Sequence, residues 1–364
     1  MSWLITLWAV FAGGFTWVAV HRLYKQGSVE ARRARVKRRP HVLLLRPVDA
    51  PTPLELENLA APIDYSGQLS HVVLSPFRPR LQSANVRWLP SDPLSKNRKV
   101  GHLAYALATI PQQRDTVVIC VDADVRVDGA LVTSLLDELQ DGAALASAAP
   151  RPESIDTLAG RLNRGLLVQS HHSFEALDVM SAGAKAICGK AIALSSTAAA
   201  ELVRLADCIG EDLELSQVLH ERGLTVTLAR APAIVPQARD ATVRPVFERF
   251  TRWMQVLRAH RPALFPSVPL FFAPTPVLMV LASVVATPQV AFALCFLVAA
   301  RITLANRLDR RTGLRFEWLL AEALLFVCWF EALRVGRTVI WRGRRFELVE
   351  GGRMRPAPSE GGAS

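Results

Sequence analysis

Two aspartates one residue apart, Asp122 and Asp124, come directly after the apolar run Val117-Val-Ile-Cys-Val121. A short run rich in Val and Ile reads as a buried strand, and ligands of a parallel sheet bind beyond the carboxyl ends of its strands. Two carboxylates in that place can hold a divalent cation, because hard ions such as Mg2+ take oxygen ligands and bridge protein carboxylates to substrate phosphates. The same pair also suits capping of the following turn and helix, so context has to decide. A second acidic group, Gly210-Glu211-Asp212, precedes an amphipathic segment whose apolar contacts are Leu213, Leu215 and Leu219. A helix N-terminus stabilises an anion there, and a carboxylate on a loop over a bound donor can accept the proton of a nucleophilic alcohol. Asp212 is the candidate base, with Glu211 its nearest competitor. The third group is Arg249-Phe-Thr-Arg252-Trp253. Two arginines three apart share a helix face and can neutralise a diphosphate leaving group, while Trp253 offers an apolar or stacking surface. A basic amphipathic helix lying on headgroups has the same pattern, and both readings hold if the acceptor is a lipid.

The elements that must position these groups can be read from hydrophobic periodicity. Strands are expected at 41–46, 69–74, 116–121, 143–149 and 224–229, and helices at 54–60, 100–110, 130–139, 197–206 and 212–222. Strands separated by helices imply an α/β domain with a mainly parallel sheet. Five cysteines, Cys120, Cys188, Cys208, Cys295 and Cys328, show no metal-site spacing and read as reduced core or membrane residues.

Of the chain, 51% is hydrophobic and only 21% charged, more apolar surface than one soluble core needs. The uncharged run 3–20 is long enough to cross a bilayer, and the basic block Arg22 to Arg39 after it places the chain from His21 onward in the cytoplasm. No basic residue precedes the run, which argues for an anchor rather than a cleaved signal. Residues 264–300 carry no charge, enough for two crossings broken near Thr287-Pro288, with a basic loop at 301–315 on the cytoplasmic side. The stretch 318–335 holds Glu322 and Glu331 and reads as a third crossing or an interfacial helix, its carboxylates turned toward protein or water. The Gly/Pro/Ser-rich end, 351–364, is expected to be disordered. Net charge is +11, but the cations gather beside apolar spans and in the tail, so anionic headgroups rather than nucleic acid are the expected partner. The expected division is an anchor at 1–21, a basic juxtamembrane segment at 22–39, the α/β domain at 40–262, transmembrane or interfacial helices at 263–340, and a basic tail at 341–364.

The order DxD, Glu-Asp, RxxRW and then membrane segments resembles the family 2 glycosyltransferases with the GT-A fold, and more closely ceramide glucosyltransferase and its bacterial relatives, such as those of hopanoid biosynthesis. The likeness also takes in Arg46-Pro-Val, Asn97-Arg-Lys99, Ile187-Cys-Gly-Lys-Ala and Trp341-Arg-Gly-Arg-Arg-Phe-Glu. It implies a Rossmann-like GT-A domain in the cytoplasm, flanked by N-terminal and C-terminal transmembrane helices. It implies inverting transfer of a hexose from a nucleotide diphosphate sugar, UDP-glucose foremost, to the hydroxyl of a lipid such as ceramide, with Mg2+ or Mn2+. Carried over by position, Asp124 binds the metal, and Asp122, with Asn97, Lys99 and Glu211, lies on the donor side. Asp212 is the base, while Arg249, Arg252 and Trp253 close over donor and leaving group. His171-His172 stands where relatives carry a histidine near the acceptor, and otherwise reads as a surface pair. One departure is plain: the family has an acid at the end of its second strand that helps recognise the nucleobase, and Val72-Val-Leu-Ser-Pro76 offers none. The alternatives are a processive polysaccharide synthase, which has Gln where Arg249 stands and needs more membrane helices, and a non-catalytic lipid-binding scaffold that has kept the fold. The Ala- and Arg-rich composition points to a bacterial inner membrane.

Overall fold

A computed structural model of the chain describes residues 1–29, 39–81, 83, 85–111, 113, 115–153, 156–310, 316–341 and 343–357. Residues 30–38 of the basic segment, 311–315 and the end from 358 lie outside them, and 301–309 of the expected basic loop is helical instead. Helix α1 (Ser2–Val29) leads into β1 (Val42–Pro47), α2 (Pro53–Ala60), β2 (Leu69–Ser75), β3 (Val86–Pro90), α3 (Arg98–Thr109) and β4 (Val117–Val121). Then come α4 (Gly129–Gln140), β5 (Leu145–Pro152), α5 (Leu158–Val168), α6 (Phe174–Met180), β6 (Ala191–Leu194), α7 (Ser196–Val203), α8 (Glu211–Glu221) and β7 (Val226–Val235). The remainder is α9 (Val243–His260), α10 (Thr275–Val284), α11 (Pro288–Asp309), α12 (Glu317–Val335), β8 (Thr338–Trp341), β9 (Arg344–Leu348) and β10 (Met354–Pro356).

Seven strands form one sheet in the order β3-β2-β1-β4-β6-β5-β7. All its pairings are parallel except those of β6, which runs antiparallel to β4 and β5. This mixed α/β sheet, parallel except for one strand, fits the expected GT-A class. The five expected strands and five expected helices are present with shifted ends; β3, β6, α5 and α6 are additions. Buried apolar clusters lie on both faces, around Leu43, Leu45 and Leu103 on one and Val42, Ile119 and Leu135 on the other. Sheet burial on two sides explains why Val42 to Leu45 of β1 and the whole of β4 are continuous apolar runs rather than alternating ones.

Local chemistry sets the helix starts. Thr52 accepts from Glu55 N while the Glu55 carboxylate accepts from Thr52 N at 2.7 Å, a reciprocal cap with Pro53 in the first turn. Asn97 and Asp128 cap α3 and α4 by accepting from Val100 N and Leu131 N.

Two helices, Ser2–Gln26 and Pro288–Asp309, are long and apolar enough to cross a membrane. They run parallel: Ile5, Ala9 and Ala12 meet Val290, Ala293 and Leu297, and farther along Ala19, Val20 and Leu23 meet Leu304 and Leu308. Arg301 donates to Thr16 Oγ1 at 3.0 Å, and Arg307 to Leu23 O at 3.2 Å, in the same register. Of the stretch 264–300, with its length for two crossings, only the part in α11 belongs to a helix that is long and apolar enough to span, among the described residues. The outgoing limb is a π-helical turn, Val268–Phe272, followed by the ten residues of α10, which as a helix reach only about 15 Å against a hydrocarbon core of about 30 Å. Helix α12 packs mainly against α5 and α9 of the sheet domain and meets α11 through a buried ion pair. Its Glu322 is buried as expected, paired with Arg301 Nε at 2.8 Å and accepting from Thr275 N at 3.1 Å. The tail is also corrected: β8, β9 and β10 form an antiparallel sheet, so 354–356 is a strand with Met354 buried.

The Arg301–Glu322 pair gives a stability prediction. Removing one partner strands the other charge in the interior, so Arg301→Ala should cost about 3–5 kcal/mol, whereas an Arg301→Leu, Glu322→Leu double variant should recover most of that loss. Thermal unfolding of the detergent-solubilised chain checks both; an unchanged midpoint for Arg301→Ala contradicts the pairing.

Candidate active site

The loop after β4 is held from below by Arg46, the last but one residue of β1. Its fully buried guanidinium donates to the carbonyls of Asp122, Ala123 and Val125 at 3.1, 3.3 and 2.7 Å. Burial pushes that guanidinium down to about 10, against the pull of Asp122 and Asp124. Three carbonyls turned onto one cation leave the two aspartate side chains to face out of the sheet rim.

Two lysines meet these carboxylates. Lys99 Nζ, from the first turn of α3, lies 2.8 Å from Asp122 Oδ1, 3.3 Å from Glu211 Oε1 and 2.6 Å from Gly189 O. Lys190 Nζ lies 2.5 Å from Asp124 Oδ2 and 3.7 Å from Asp122 Oδ2. Burial opposes charge on Lys99, yet Asp122 and Glu211 raise it well above its ordinary value, so it is a permanent cation. Burial likewise pushes Asp124 up, but Lys190, with Arg249 and Lys99, outweighs it and holds the carboxyl below its usual value. Lys190 arrives opposite Asp122 because β6 runs antiparallel to β4, with Val121 facing Ala191 and Asp122 N donating to Lys190 O at 2.8 Å.

Asp212 stands one residue inside α8. Its Oδ2 accepts from Gly189 N at 2.8 Å and its Oδ1 from Leu213 N at 2.9 Å. Burial, then the neighbouring Glu211 carboxylate, raises its carboxyl to about 6 in spite of these bonds. Gly189 thus touches both halves of the site, its carbonyl on Lys99 and its N–H on Asp212. Glu211 is itself buried, fixed by Lys99 and by Asn97 Nδ2 at 3.0 Å. Asn97 is fully buried; besides capping α3 it donates to Cys208 O at 2.8 Å, so its amide is spent on holding the Cys208–Glu211 turn.

Arg249, Arg252 and Trp253 lie on α9. Among the described residues neither guanidinium has a hydrogen bond or ion pair. Burial, then the charge of Arg249, lowers Arg252, against a smaller opposing pull from Glu248. Trp253 sits in an aromatic group with Phe250 (ring centroids 4.9 Å), His172 (5.9 Å) and Phe174 (5.9 Å). The histidine pair is not on the surface: burial takes His172 down to about 4, a neutral ring, and His171 is packed between Phe15 of α1 and Phe272 with both ring nitrogens unbonded.

At the other side of the rim β2 ends without an acid, Ser75 being buried with its Oγ donating to Phe77 O at 2.7 Å. Carboxylates do stand beside it: Asp49 after β1 and Asp92 after β3, both paired to Arg98 at 2.8 and 2.6 Å. The structure therefore brings Asn97, Lys99, Asp122, Asp124, Glu211 and Asp212 into one network, with Arg249 near enough to act on Asp124 and Trp253 one turn farther along α9. Lys190 and Arg46 complete it. Sequence reasoning names neither as a site residue, although Lys190 lies within the motif Ile187-Cys-Gly-Lys-Ala.

The model of glycosyl transferase family 21 matches residues 85–354, well over half the chain. The chain belongs to that family. It is a glycosyltransferase, which implies a nucleotide sugar donor and an acceptor, and the resemblance to the ceramide glucosyltransferase-like enzymes is borne out. No curated protein matches it. Among solved structures, a mycobacterial protein is similar at 18% identity and a TM-score of 0.33, over 60% of this chain and 74% of that one. The bifunctional IspDF from Campylobacter jejuni is similar at 16% identity and a TM-score of 0.29, over 56% of this chain and 51% of that one. Superpositions this loose decide nothing about function.

Proposed function

We propose that this family 21 glycosyltransferase moves one hexose, with inversion, from a nucleotide diphosphate sugar to the hydroxyl of a membrane lipid such as ceramide. UDP-glucose is the first donor to try. The observation that carries the reading is the joint at Gly189, where one residue links the Asp122–Lys99 pair to the Asp212 carboxylate. Asp212 takes the acceptor hydroxyl's proton as that oxygen bonds to the anomeric carbon, and the sugar's bond to the diphosphate breaks on the opposite face. Arg249 and Arg252 receive the charge that builds on the departing diphosphate. Helices α1 and α11 seat the domain on the cytoplasmic face of a bacterial inner membrane, where the lipid meets α9.

A divalent cation fits at the aspartate oxygens that the lysines leave, since Lys190 holds Asp124 Oδ2 and Lys99 holds Asp122 Oδ1. The Asp124 Oδ1 atom is buried without a hydrogen-bond partner. No third His, Cys, Asp or Glu joins the aspartates among the described residues. Mg2+ bound through one or two carboxylates plus substrate phosphates needs none. Asp124 and Asp122 would hold Mg2+ or Mn2+, which would supply positive charge to the diphosphate oxygens.

The test is an assay of membranes containing the chain, supplied with Mg2+ or Mn2+, a panel of nucleotide sugars and candidate lipids, with products identified by mass spectrometry. A lipid carrying a single hexose supports the reading; a polymer favours a processive synthase, and no product with no nucleotide binding favours a scaffold. Asp212 also gives a pH prediction. As a base it works only ionised, so kcat should fall as pH drops below about 6, and Glu211→Gln should move that limb to lower pH by removing the charge that raises it. The stability effect has the opposite sign. Because folding raises this carboxyl above its ordinary value of about 3.9, its contribution to stability is full below about 4 and lost as pH rises through about 6. A kcat limb that Glu211→Gln does not move contradicts the assignment.

A further inference from the structure

The turn that delivers Glu211 and Asp212 is held from behind by the end of the chain. Ile209 N donates to Gly352 O at 2.9 Å and Met354 N to Asp207 O at 2.9 Å, so that 207–209 and 352–354 pair as a short antiparallel bridge centred on Cys208 and Arg353. Cys208 Sγ adds a contact to Gly351 O at 3.3 Å. Beneath the bridge Ile209, Val256, Val339, Phe346, Leu348 and Met354 form a buried cluster of their own, separate from the cores of the large sheet.

His260, the last residue of α9, closes the arrangement. Its fully buried ring places Nε2 2.7 Å from Ile209 O and Nδ1 3.3 Å from Glu214 Oε2. A carbonyl only accepts, so Nε2 carries a proton. Two glycines with positive φ make room for the ring: a Cβ on Gly352 (φ 68) would collide with it, and one on Gly210 (φ 72) would lie 3.3 Å from Nε2 and 2.6 Å from Val256 Cγ1. The helix that ends at His260 is the one that carries Arg249, Arg252 and Trp253.

We infer that His260, clamped by the Gly351-Gly352 turn of the C-terminal sheet, is a positioning residue that sets the Asp212 turn against the arginines of α9. It touches no reacting atom; it acts through Ile209 O and Glu214. The inference rests on Asp212 being the base, and displacing a base by about 1 Å can cost about 100-fold in rate.

The experiment compares wild type with His260→Ala, His260→Gln and Asp212→Asn in the detergent-purified full chain. Three readouts are taken: UDP release from UDP-glucose with lipid extract and Mg2+, UDP affinity by calorimetry, and amide hydrogen exchange. His260→Ala should lower kcat about 10- to 100-fold while UDP affinity changes less than about threefold, with faster exchange at 208–213 and unchanged exchange in β1 and β4. His260→Gln, whose amide can still donate to Ile209 O, should recover most of the rate. If His260→Ala loosens 208–213 and leaves kcat intact while Asp212→Asn is inactive, the positioning role is wrong. Equal loss of UDP affinity and kcat with exchange raised throughout the domain also overturns it, since that is mere unfolding. If instead Asp212→Asn is active, the base assignment fails, which is read separately from the exchange result.

Discussion

Replacing Asp212 by Asn should lower kcat about 10^2- to 10^4-fold, the contribution of a positioned general base, while the affinity for nucleoside diphosphate stays within a few fold. The separation is expected because Asp212 contacts neither Asp122 nor Asp124; its bonds are to Gly189 N and Leu213 N. An Asn side chain can satisfy only one of these two donors and turns its own N–H toward the other, so a modest loss of stability accompanies the rate effect. Unfolding midpoints of both proteins therefore belong beside the kinetics. Asp212→Asn retaining more than about a tenth of wild-type kcat would remove Asp212 from the base role. Glu211 would not simply take its place, because Lys99 and Asn97 already occupy its carboxylate in a buried position.

Much of this arrangement is legible in the chain, and the part that is not has identifiable causes. Val117 to Val121 announces itself because a strand covered on both faces must be apolar throughout, and the aspartates after it fall at the rim by geometry alone. Ala191–Leu194 gives no such signal: it has four residues, two of them alanine, and its antiparallel place between β4 and β5 is a property of the assembled sheet. Lys190 stays hidden for the same reason, since a lysine beside a short run reads as solvated until Val121 is known to face Ala191. The C-terminal sheet is hidden differently. Arg344-Arg-Phe-Glu-Leu348 alternates correctly for a strand with one buried face, Phe346 and Leu348 inward, but its charge and the glycines after it read as a tail. His260 gains its meaning only once that sheet is in place.

Arg249→Ala and Arg252→Ala should each reduce kcat about 10^2- to 10^3-fold, as removal of a preorganised charge from a developing anion does, and together they should lose less than the product of the two. The expectation comes from what these side chains lack. A guanidinium carries five donors in a planar fork that matches the oxygens of a phosphate. Here both are without hydrogen-bond or ion-pair partners among the described residues, and Arg252 is lowered by burial and by Arg249 beside it. A diphosphate arriving between them relieves that repulsion, so nucleoside diphosphate should raise the unfolding midpoint of the wild type more than nucleoside monophosphate does. Each alanine variant should shrink that difference. Lys should rescue only in part, because a point charge cannot reproduce a bidentate fork. The competing role, a basic face resting on anionic headgroups, predicts the reverse pattern: the variants would lose binding to vesicles containing phosphatidylglycerol and keep their nucleoside diphosphate affinity. That pattern would leave Asp212 and the lysine-paired aspartates as the site and move α9 from the chemistry to the membrane surface.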